Sequence, residues 1–130
     1  MHRSFRITKR IALAALLIWN APSIFAGTTG KIAGLVKDAS NGEGLPGANI
    51  IIRAQIVDGR EIRIENVRGG ASNVNGKYFI LNIRPGTYVV ECSFIGYQTT
   101  VEKPVRVQVD RTTTLDFSLI PEAITAEEVV

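Results

Sequence analysis

The side chains that most often carry out catalysis are scarce in this 130-residue chain, which has one histidine, His2, and one cysteine, Cys92. A Ser-His-Asp triad and a Cys-His pair both need an imidazole beside the nucleophile, and zinc sites use histidine or several cysteines. Cys92 shares one face of a predicted strand with Val90 and Phe94, and an apolar face of this kind is typically buried. We therefore expect an inert buried thiol rather than a nucleophile or a metal ligand.

Acidic side chains are the remaining candidates for acid–base catalysis or calcium binding. Five of them lie in turns or alternate with apolar residues, where charge is normally solvated: Asp38, Glu43, Asp58, Glu61 and Glu65. The run from Asp38 to Gly44 lacks the alternating ligand series and the closing Glu of an EF-hand loop, so capping of a turn by Asx side chains is favoured. Gly69-Gly70 is followed by no helix and no Lys-Ser/Thr, so a phosphate loop is unsupported. The sequence predicts no enzyme activity and no cofactor.

The first 26 residues have the order of a secretory signal peptide. Four cations in the first ten residues precede a short apolar run, Ile11 to Trp19, and small residues follow up to Ala26. The run is much shorter than the roughly 20 apolar residues that span a bilayer. We predict export with cleavage near Ala26, which also removes His2 and the only tryptophan.

The basic character of the chain comes from that segment. The whole chain has a formal charge of +3, whereas residues 27–130 carry 11 basic and 12 acidic side chains, a net charge of −1. A near-neutral domain lacks the excess positive charge that drives nucleic-acid binding, so no nucleic-acid partner is expected. A single cysteine forms no intramolecular disulfide, so stability must come from an apolar core.

Short strand-like segments punctuated by Gly, Pro and Asn fill the rest of the chain. Apolar and polar residues alternate, or apolar residues run together, near 31–37, 48–53, 77–83, 88–94, 105–109 and 114–119. Asn75-Gly76 predicts a two-residue type I′ hairpin, and Pro85-Gly86 predicts a second hairpin turn with glycine in the left-handed position. No 3.6-residue apolar period persists after Ala26. We predict an all-β fold, an antiparallel sandwich of about seven strands.

An extra hairpin insertion is predicted at about residues 54–70. A three-residue loop, Asp58-Gly59-Arg60, would pair Ile56 with Ile62 and unite the apolar face, whereas a two-residue loop would place Ile56 opposite Glu61. We predict the three-residue loop and a protruding, solvated ribbon. Pairing of its edges with another chain is the alternative.

Tyr97, which follows Ile95-Gly96, is the best candidate for an exposed aromatic side chain. A flat aromatic ring at such a position could stack on a sugar, which makes Tyr97 a candidate ligand contact and a glycan a candidate partner. A tyrosine packed at a corner of the sandwich, with its hydroxyl hydrogen-bonded, is the favoured alternative.

Five motifs follow one another at ordered spacing: Gly30–Asp38, Gly42–Ile50, Ala71–Ile80, Asn82–Tyr88 and Ser93–Tyr97. Together they make residues 29–120 resemble the carboxypeptidase regulatory-like domain, a transthyretin-like (prealbumin-like) β-sandwich also called the carbohydrate-binding-like fold. The resemblance implies a domain at 27–120, preceded by the signal peptide at 1–26 and followed by a linker or junction tail at 121–130. The segment at 54–70 departs from the shorter connection that is usual in the family.

In Bacteroidetes-type bacteria such a domain commonly stands at the N-terminus of TonB-dependent outer-membrane receptors, before a Glu-Glu-Val-Val segment, a plug and a barrel. Ala126–Val130 looks like that junction. The resemblance implies a non-catalytic accessory domain for nutrient import, located in the periplasm or on the periplasmic face of the outer membrane rather than on the cell surface. Its partners would be a plug and barrel in the same or another chain, or a periplasmic energising protein. The implied partner-contacting residues are Glu127, Glu128, Val129 and Val130.

Two alternatives to a receptor domain stay open. The first is a stand-alone exported module that binds carbohydrate or mediates adhesion, for which Tyr97 is the candidate contact. The second is an appendage of an exported peptidase, which would require a zinc-bearing catalytic domain that these 130 residues do not contain. The sequence does not distinguish a fragment of a longer receptor from a complete protein.

Overall fold

The computed structural model describes residues 27–123. The predicted signal peptide at 1–26 and the candidate contact residues Glu127–Val130 lie outside the described residues. Eight strands follow in order: β1 (Gly30–Asp38), β2 (Asn49–Val57), β3 (Arg60–Ala71), β4 (Lys77–Ile83), β5 (Gly86–Ser93), β6 (Thr100–Val107), β7 (Thr112–Thr114) and β8 (Phe117–Leu119). Between residues 27 and 123, no helix has the length and apolarity needed to cross a membrane.

The strands form two sheets. In the first, β1 lies between β4 and the short strands β7 and β8, and in the second the order is β3-β2-β5-β6. The predicted all-β sandwich is confirmed. The pairing is antiparallel except that β7 and β8 run parallel to β1, which the purely antiparallel prediction did not include.

The structure has eight strands rather than about seven because the segment predicted at 114–119 is divided between β7 and β8. The division occurs where the chain passes over Gly34: a Cβ there would lie 1.8 Å from the Leu115 carbonyl oxygen. Leu115 N donates to the Ala33 carbonyl (2.9 Å), and the Asp116 carboxylate accepts from Leu35 N (2.9 Å). These contacts bend the chain between two short parallel pairings with β1.

The apolar core lies between the sheets and contains the residues that alternation placed there. Val90 and Cys92 of β5 are completely buried, and Tyr78 of β4 is 1% exposed. The Tyr78 and Phe117 rings pack with centroids 6.1 Å apart, and the Tyr78 hydroxyl donates to the Leu115 carbonyl at 2.5 Å. Burial of a large apolar side chain stabilises a fold by about 1.5–3 kcal/mol, so this layer supplies the stability that no disulfide provides.

The hairpin prediction at Asn75-Gly76 is wrong, because β3 and β4, which this turn connects, belong to different sheets. Only Gly76 of the pair has positive φ (83°), and its N–H donates to the Asn73 carbonyl (2.9 Å). The two-residue turn with both central residues at positive φ is Asp58-Gly59 (52° and 75°), between β2 and β3. This is the backbone conformation of a type I′ turn.

The turn prediction at Pro85-Gly86 is also wrong in its details. The left-handed residue is Asn82 (φ 57°), and Gly86 has no positive φ but begins β5. The segment carries the chain from β4 in one sheet to β5 in the other, so it fixes no hairpin register.

The hairpin predicted at 54–70 is present, but its register differs from the predicted one. Val57 pairs with Arg60 and Ile56 with Glu61, so the loop has two residues instead of three. Beyond this turn, β3 pairs with β2 up to Arg63 and again from Arg68 to Ala71, with an irregularity between these two stretches. The insertion is therefore the edge strand of the second sheet rather than a separate ribbon.

Candidate contact site at the Tyr97 corner

A corner of the sandwich is organised around the Asp38 carboxylate, which is 6% exposed at the end of β1. The N–H and the hydroxyl of Ser40 both donate to Oδ1, with the N–H at 2.7 Å. The Tyr97 hydroxyl donates to Oδ2 at 2.6 Å. The favoured Asx turn is confirmed, and the carboxylate is occupied by hydrogen bonds from within the chain.

Tyr97 reaches Asp38 because the chain turns sharply after β5. Gly96 adopts a left-handed conformation (φ 87°), which glycine adopts at no steric cost, and Tyr97 N donates to the Phe94 carbonyl at 3.1 Å. The Phe94 and Tyr97 rings pack with centroids 5.6 Å apart. The tip of the turn, Ile95, is 95% exposed. The hydroxyl of Tyr97 is already bonded, so a ligand at this corner would meet the accessible part of the ring and the Ile95 side chain.

The hydrogen bonds at this corner shift the pKa values of both partners. The pKa of Asp38 is lowered most by the hydrogen bond that the carboxylate accepts from the Ser40 hydroxyl, and next by the one it accepts from Tyr97. The bond to Asp38 raises the pKa of Tyr97. Each shift favours the pair in which Asp38 is ionised and Tyr97 is protonated, which is the state at neutral pH.

The described chain leaves the sandwich at this same corner. Gln98 N donates to the Ile120 carbonyl (2.8 Å), and Glu122 N donates to the Gly96 carbonyl (2.9 Å), on either side of a bridge between Tyr97 and Pro121. At the other end of β1, Asp110 N donates to the Thr29 carbonyl (3.0 Å). The nine residues of β1 separate the two ends by roughly 26 Å at the usual strand rise.

The described part of the chain has no cluster of metal-ligating side chains and no exposed thiol. Between residues 27 and 123, no three His, Cys, Asp or Glu side chains are close enough to hold a metal ion. Cys92 is fully buried, and burial raises the pKa of its thiol to about 11, so the reactive thiolate is disfavoured at neutral pH. Every buried side-chain nitrogen or oxygen in this region has a hydrogen-bond partner.

Two arginines that no sequence pattern marks as site residues lie around a groove far from the corner. Arg68 of β3 and Arg84, after β4, line it together with Tyr88. Their convergence depends on an irregular pairing of β3 with β2, which period-2 alternation does not reveal. No sequence signal available in one chain would have joined residues 68 and 84.

Residues 31–120 match the family model of the carboxypeptidase regulatory-like domain. No curated protein sequence matches the chain significantly.

Several solved structures share the fold at low sequence identity. A candidate carbohydrate-binding protein from Bacteroides uniformis has a TM-score of 0.52 and 20% identity, over 70% of this chain and 41% of that one. The major pilin SpaD of Corynebacterium diphtheriae has a TM-score of 0.56 and 16% identity, over 76% and 32%. The catechol 1,2-dioxygenase of Acinetobacter radioresistens, an enzyme, has a TM-score of 0.50 and 14% identity, over 75% and 53%. This chain thus spans about half or less of each, and the likeness shows the fold alone.

Proposed function

The chain belongs to the carboxypeptidase regulatory-like domain family, and from that premise we propose that it is a non-catalytic accessory domain of a TonB-dependent outer-membrane receptor for nutrient import. It acts through protein–protein contact in the periplasm or on the periplasmic face of the outer membrane. Its partners are the receptor's plug and barrel, in the same or another chain, or a periplasmic energising protein.

The observation that carries the proposal is the anchored exit of the chain at the Tyr97 corner. The backbone bonds of Gln98 and Glu122 hold residues 120–122 beside Ile95, an apolar side chain that is 95% exposed. Glu127 follows Ala123 by four residues, which span at most about 14 Å when extended. A partner that binds Glu127, Glu128, Val129 and Val130 therefore approaches within reach of the corner, and Ile95 adds an apolar contact.

The polar side chains of the corner are already used within the chain, which agrees with a contact role. The corner's carboxylate and hydroxyl are bonded to each other, and the only thiol is buried. The exposed side chain of Ile95 lies at this corner, where Glu122 N donates to the Gly96 carbonyl, and residues 123–130 are acidic and apolar in sequence. An extended segment of this kind can add to the edge of a partner's sheet.

Site-specific photo-crosslinking in cells of the source organism tests this function. A photoreactive residue at Glu128 or at Ile95 should capture the same envelope protein, which mass spectrometry identifies. The same residue at Val109, which is 40% exposed at the opposite end of the sandwich, is the matched control and should not capture it. Equal capture from Val109, or capture of cytoplasmic proteins alone, would contradict the proposal.

A second candidate function is a stand-alone exported module that binds carbohydrate or mediates adhesion. It is favoured by the half-buried Tyr97 ring, which packs against Phe94 beside the exposed Ile95. The fold is shared with a candidate carbohydrate-binding protein from Bacteroides uniformis. Glycan-array binding that survives Tyr97→Phe but is lost in Tyr97→Ala would support this function, because only the second change removes the ring. An array without binding would count against it.

A further inference from the structure

Edge strand β3 contains an irregularity much larger than an ordinary bulge. Ile52 pairs with Arg68 and Ala54 pairs with Arg63, so the four residues 64–67 face Arg53 alone. One residue of β2 cannot satisfy the backbone donors and acceptors of four residues on β3. On its other side β3 has no neighbouring strand in the sheet. Residues 64–67 therefore present backbone hydrogen-bonding groups that β2 does not pair.

The irregular stretch opens a groove of about 350 Å³ between β3 and the connection from β4 to β5. Its floor is built from buried core residues, Ile52, Ile83 and Tyr88, while Arg68 and Arg84 stand exposed at its sides. A volume of this size is near the lower end of ligand pockets and suits one or two side chains. The groove thus combines an apolar floor with a cationic rim.

The arginines of the groove form no ion pair within residues 27–123. No Asp or Glu lines the groove. Within residues 27–123 the ion pairs are Arg53–Glu91 and Lys103–Glu61, and neither involves Arg68 or Arg84. This local positive charge is notable in a domain whose overall charge is close to zero.

Hydrogen bonds hold the Arg68 side chain and the Arg84 backbone in place. Arg68 Nη1 donates a long bond (3.4 Å) to the Leu81 carbonyl of β4, which ties the guanidinium to the other sheet. The Tyr88 hydroxyl donates to the Arg84 carbonyl (2.6 Å), which fixes the backbone on the opposite wall. Both guanidinium groups act on Tyr88: they oppose the rise in its pKa that burial causes.

The structure assigns this groove to an extended acidic peptide segment of a partner protein, whose carboxylates bind Arg68 and Arg84. The planar guanidinium matches a carboxylate with two parallel hydrogen bonds. The floor accepts an apolar side chain, and the backbone of residues 64–67, which β2 does not pair, pairs with an extended chain. A small anion would use the arginines alone, whereas a peptide with acidic and apolar residues uses all three features. The groove lies at the end of β1 away from Tyr97, so this assignment is independent of the proposed function.

Titration calorimetry with the full chain tests the assignment. The probe is a synthetic peptide with the sequence of residues 123–130, blocked at both ends, because it is both acidic and apolar. We expect saturable binding that weakens about tenfold in Arg68→Gln and in Arg84→Gln, since each loses a charge-assisted hydrogen bond. Arg63→Gln is the matched control: it removes the same charge from the same strand outside the groove, and should change the affinity by less than about twofold. A peptide with Gln for both Glu should bind at least about tenfold more weakly.

Amide chemical shifts supply a second readout that does not depend on substitutions. The peptide should shift the signals of residues 64–68 and 83–84 and leave those of residues 94–98 in place. Shifts confined to residues 94–98, no saturable binding below about 1 mM, or equal weakening in Arg63→Gln would each overturn the assignment. Competition by N-acetylglutamate amide or inorganic phosphate as strong as that of the peptide would overturn it too, because the groove would then be a site for small anions.

Discussion

The Tyr97 corner and the groove beside β3 lie at opposite ends of β1, and they differ in how their polar groups are used. At the corner, the Asp38 carboxylate accepts from Ser40 and Tyr97 within the chain. At the groove, Arg68 and Arg84 have no acidic partner in the part of the chain that the structure describes. A polar group that is satisfied internally stabilises the fold, whereas one that is left without a counter-charge at a concave surface is available to a ligand. The corner therefore offers an apolar tip and a chain exit, and the groove offers charge.

The largest expected effect comes from the floor of the groove, which is part of the core. Ile83→Ala should lower the free energy of unfolding by about 2–4 kcal/mol, because it removes a side chain that is only 2% exposed and leaves a cavity. Urea unfolding followed by circular dichroism measures the loss. A loss of unfolding free energy below about 1 kcal/mol would show that Ile83 is loosely packed and that the groove extends into the core.

A substitution near the corner should have the next largest effect. The hydroxyl of Ser72, which is 6% exposed, accepts from Ala48 N (2.8 Å) and donates to the Leu45 carbonyl (2.5 Å). Ser72→Ala leaves both backbone groups unpaired and should cost about 1–3 kcal/mol in the same urea experiment. Val74→Ala in the same turn, where the side chain is 84% exposed, tests whether any change in this turn has the same effect. A neutral Ser72→Ala would contradict the interpretation of this end as internally satisfied.

The corner should also respond to acid. Hydrogen bonds lower the pKa of Asp38 in the folded state, so its contribution to stability is complete above the ordinary carboxyl pKa near 3.8 and is lost as the pH falls through that value toward the folded pKa. The difference in thermal midpoint between the wild type and Asp38→Asn should therefore shrink between pH 5 and pH 2.

The control for the acid experiment is Glu61→Gln. Lys103 lowers the pKa of Glu61 through a hydrogen bond at 2.6 Å between exposed side chains. Exposed ion pairs contribute little to stability, so this variant should follow the wild type more closely across the acid range. A difference between wild type and Asp38→Asn that stays constant with pH would contradict the role assigned to the corner carboxylate.

The smallest effect on stability is expected at the rim of the groove. Arg68→Gln and Arg84→Gln should each change the free energy of unfolding by less than about 0.5 kcal/mol, because neither side chain is buried or ion-paired among residues 27–123. The same urea titration checks this. A cost above about 1 kcal/mol would mean that the arginines hold the fold together, and the contrast with the corner would disappear.

Much of the sandwich followed from local alternation. The buried positions Val90 and Cys92, the hydrogen-bonded alternative for Tyr97 and the capped turn at Asp38 are all confirmed. The turns were less predictable, because Asn75-Gly76 and Asp58-Gly59 are both good hairpin signals in isolation. Only the second connects strands that pair with each other.

The order of side chains along a strand determines which face of the sheet residues such as Tyr88 and Cys92 lie on, because successive side chains point to opposite sides of any sheet. That local rule sufficed for the all-β class and for most of the core. Three features depend instead on contacts between distant segments. They are the assignment of strands to sheets, the parallel course of β7 and β8 beside β1 at Gly34, and the groove that residues 64–67 open between Arg68 and Arg84. The free energy of those contacts is set by packing across the whole sandwich, so no local pattern records them.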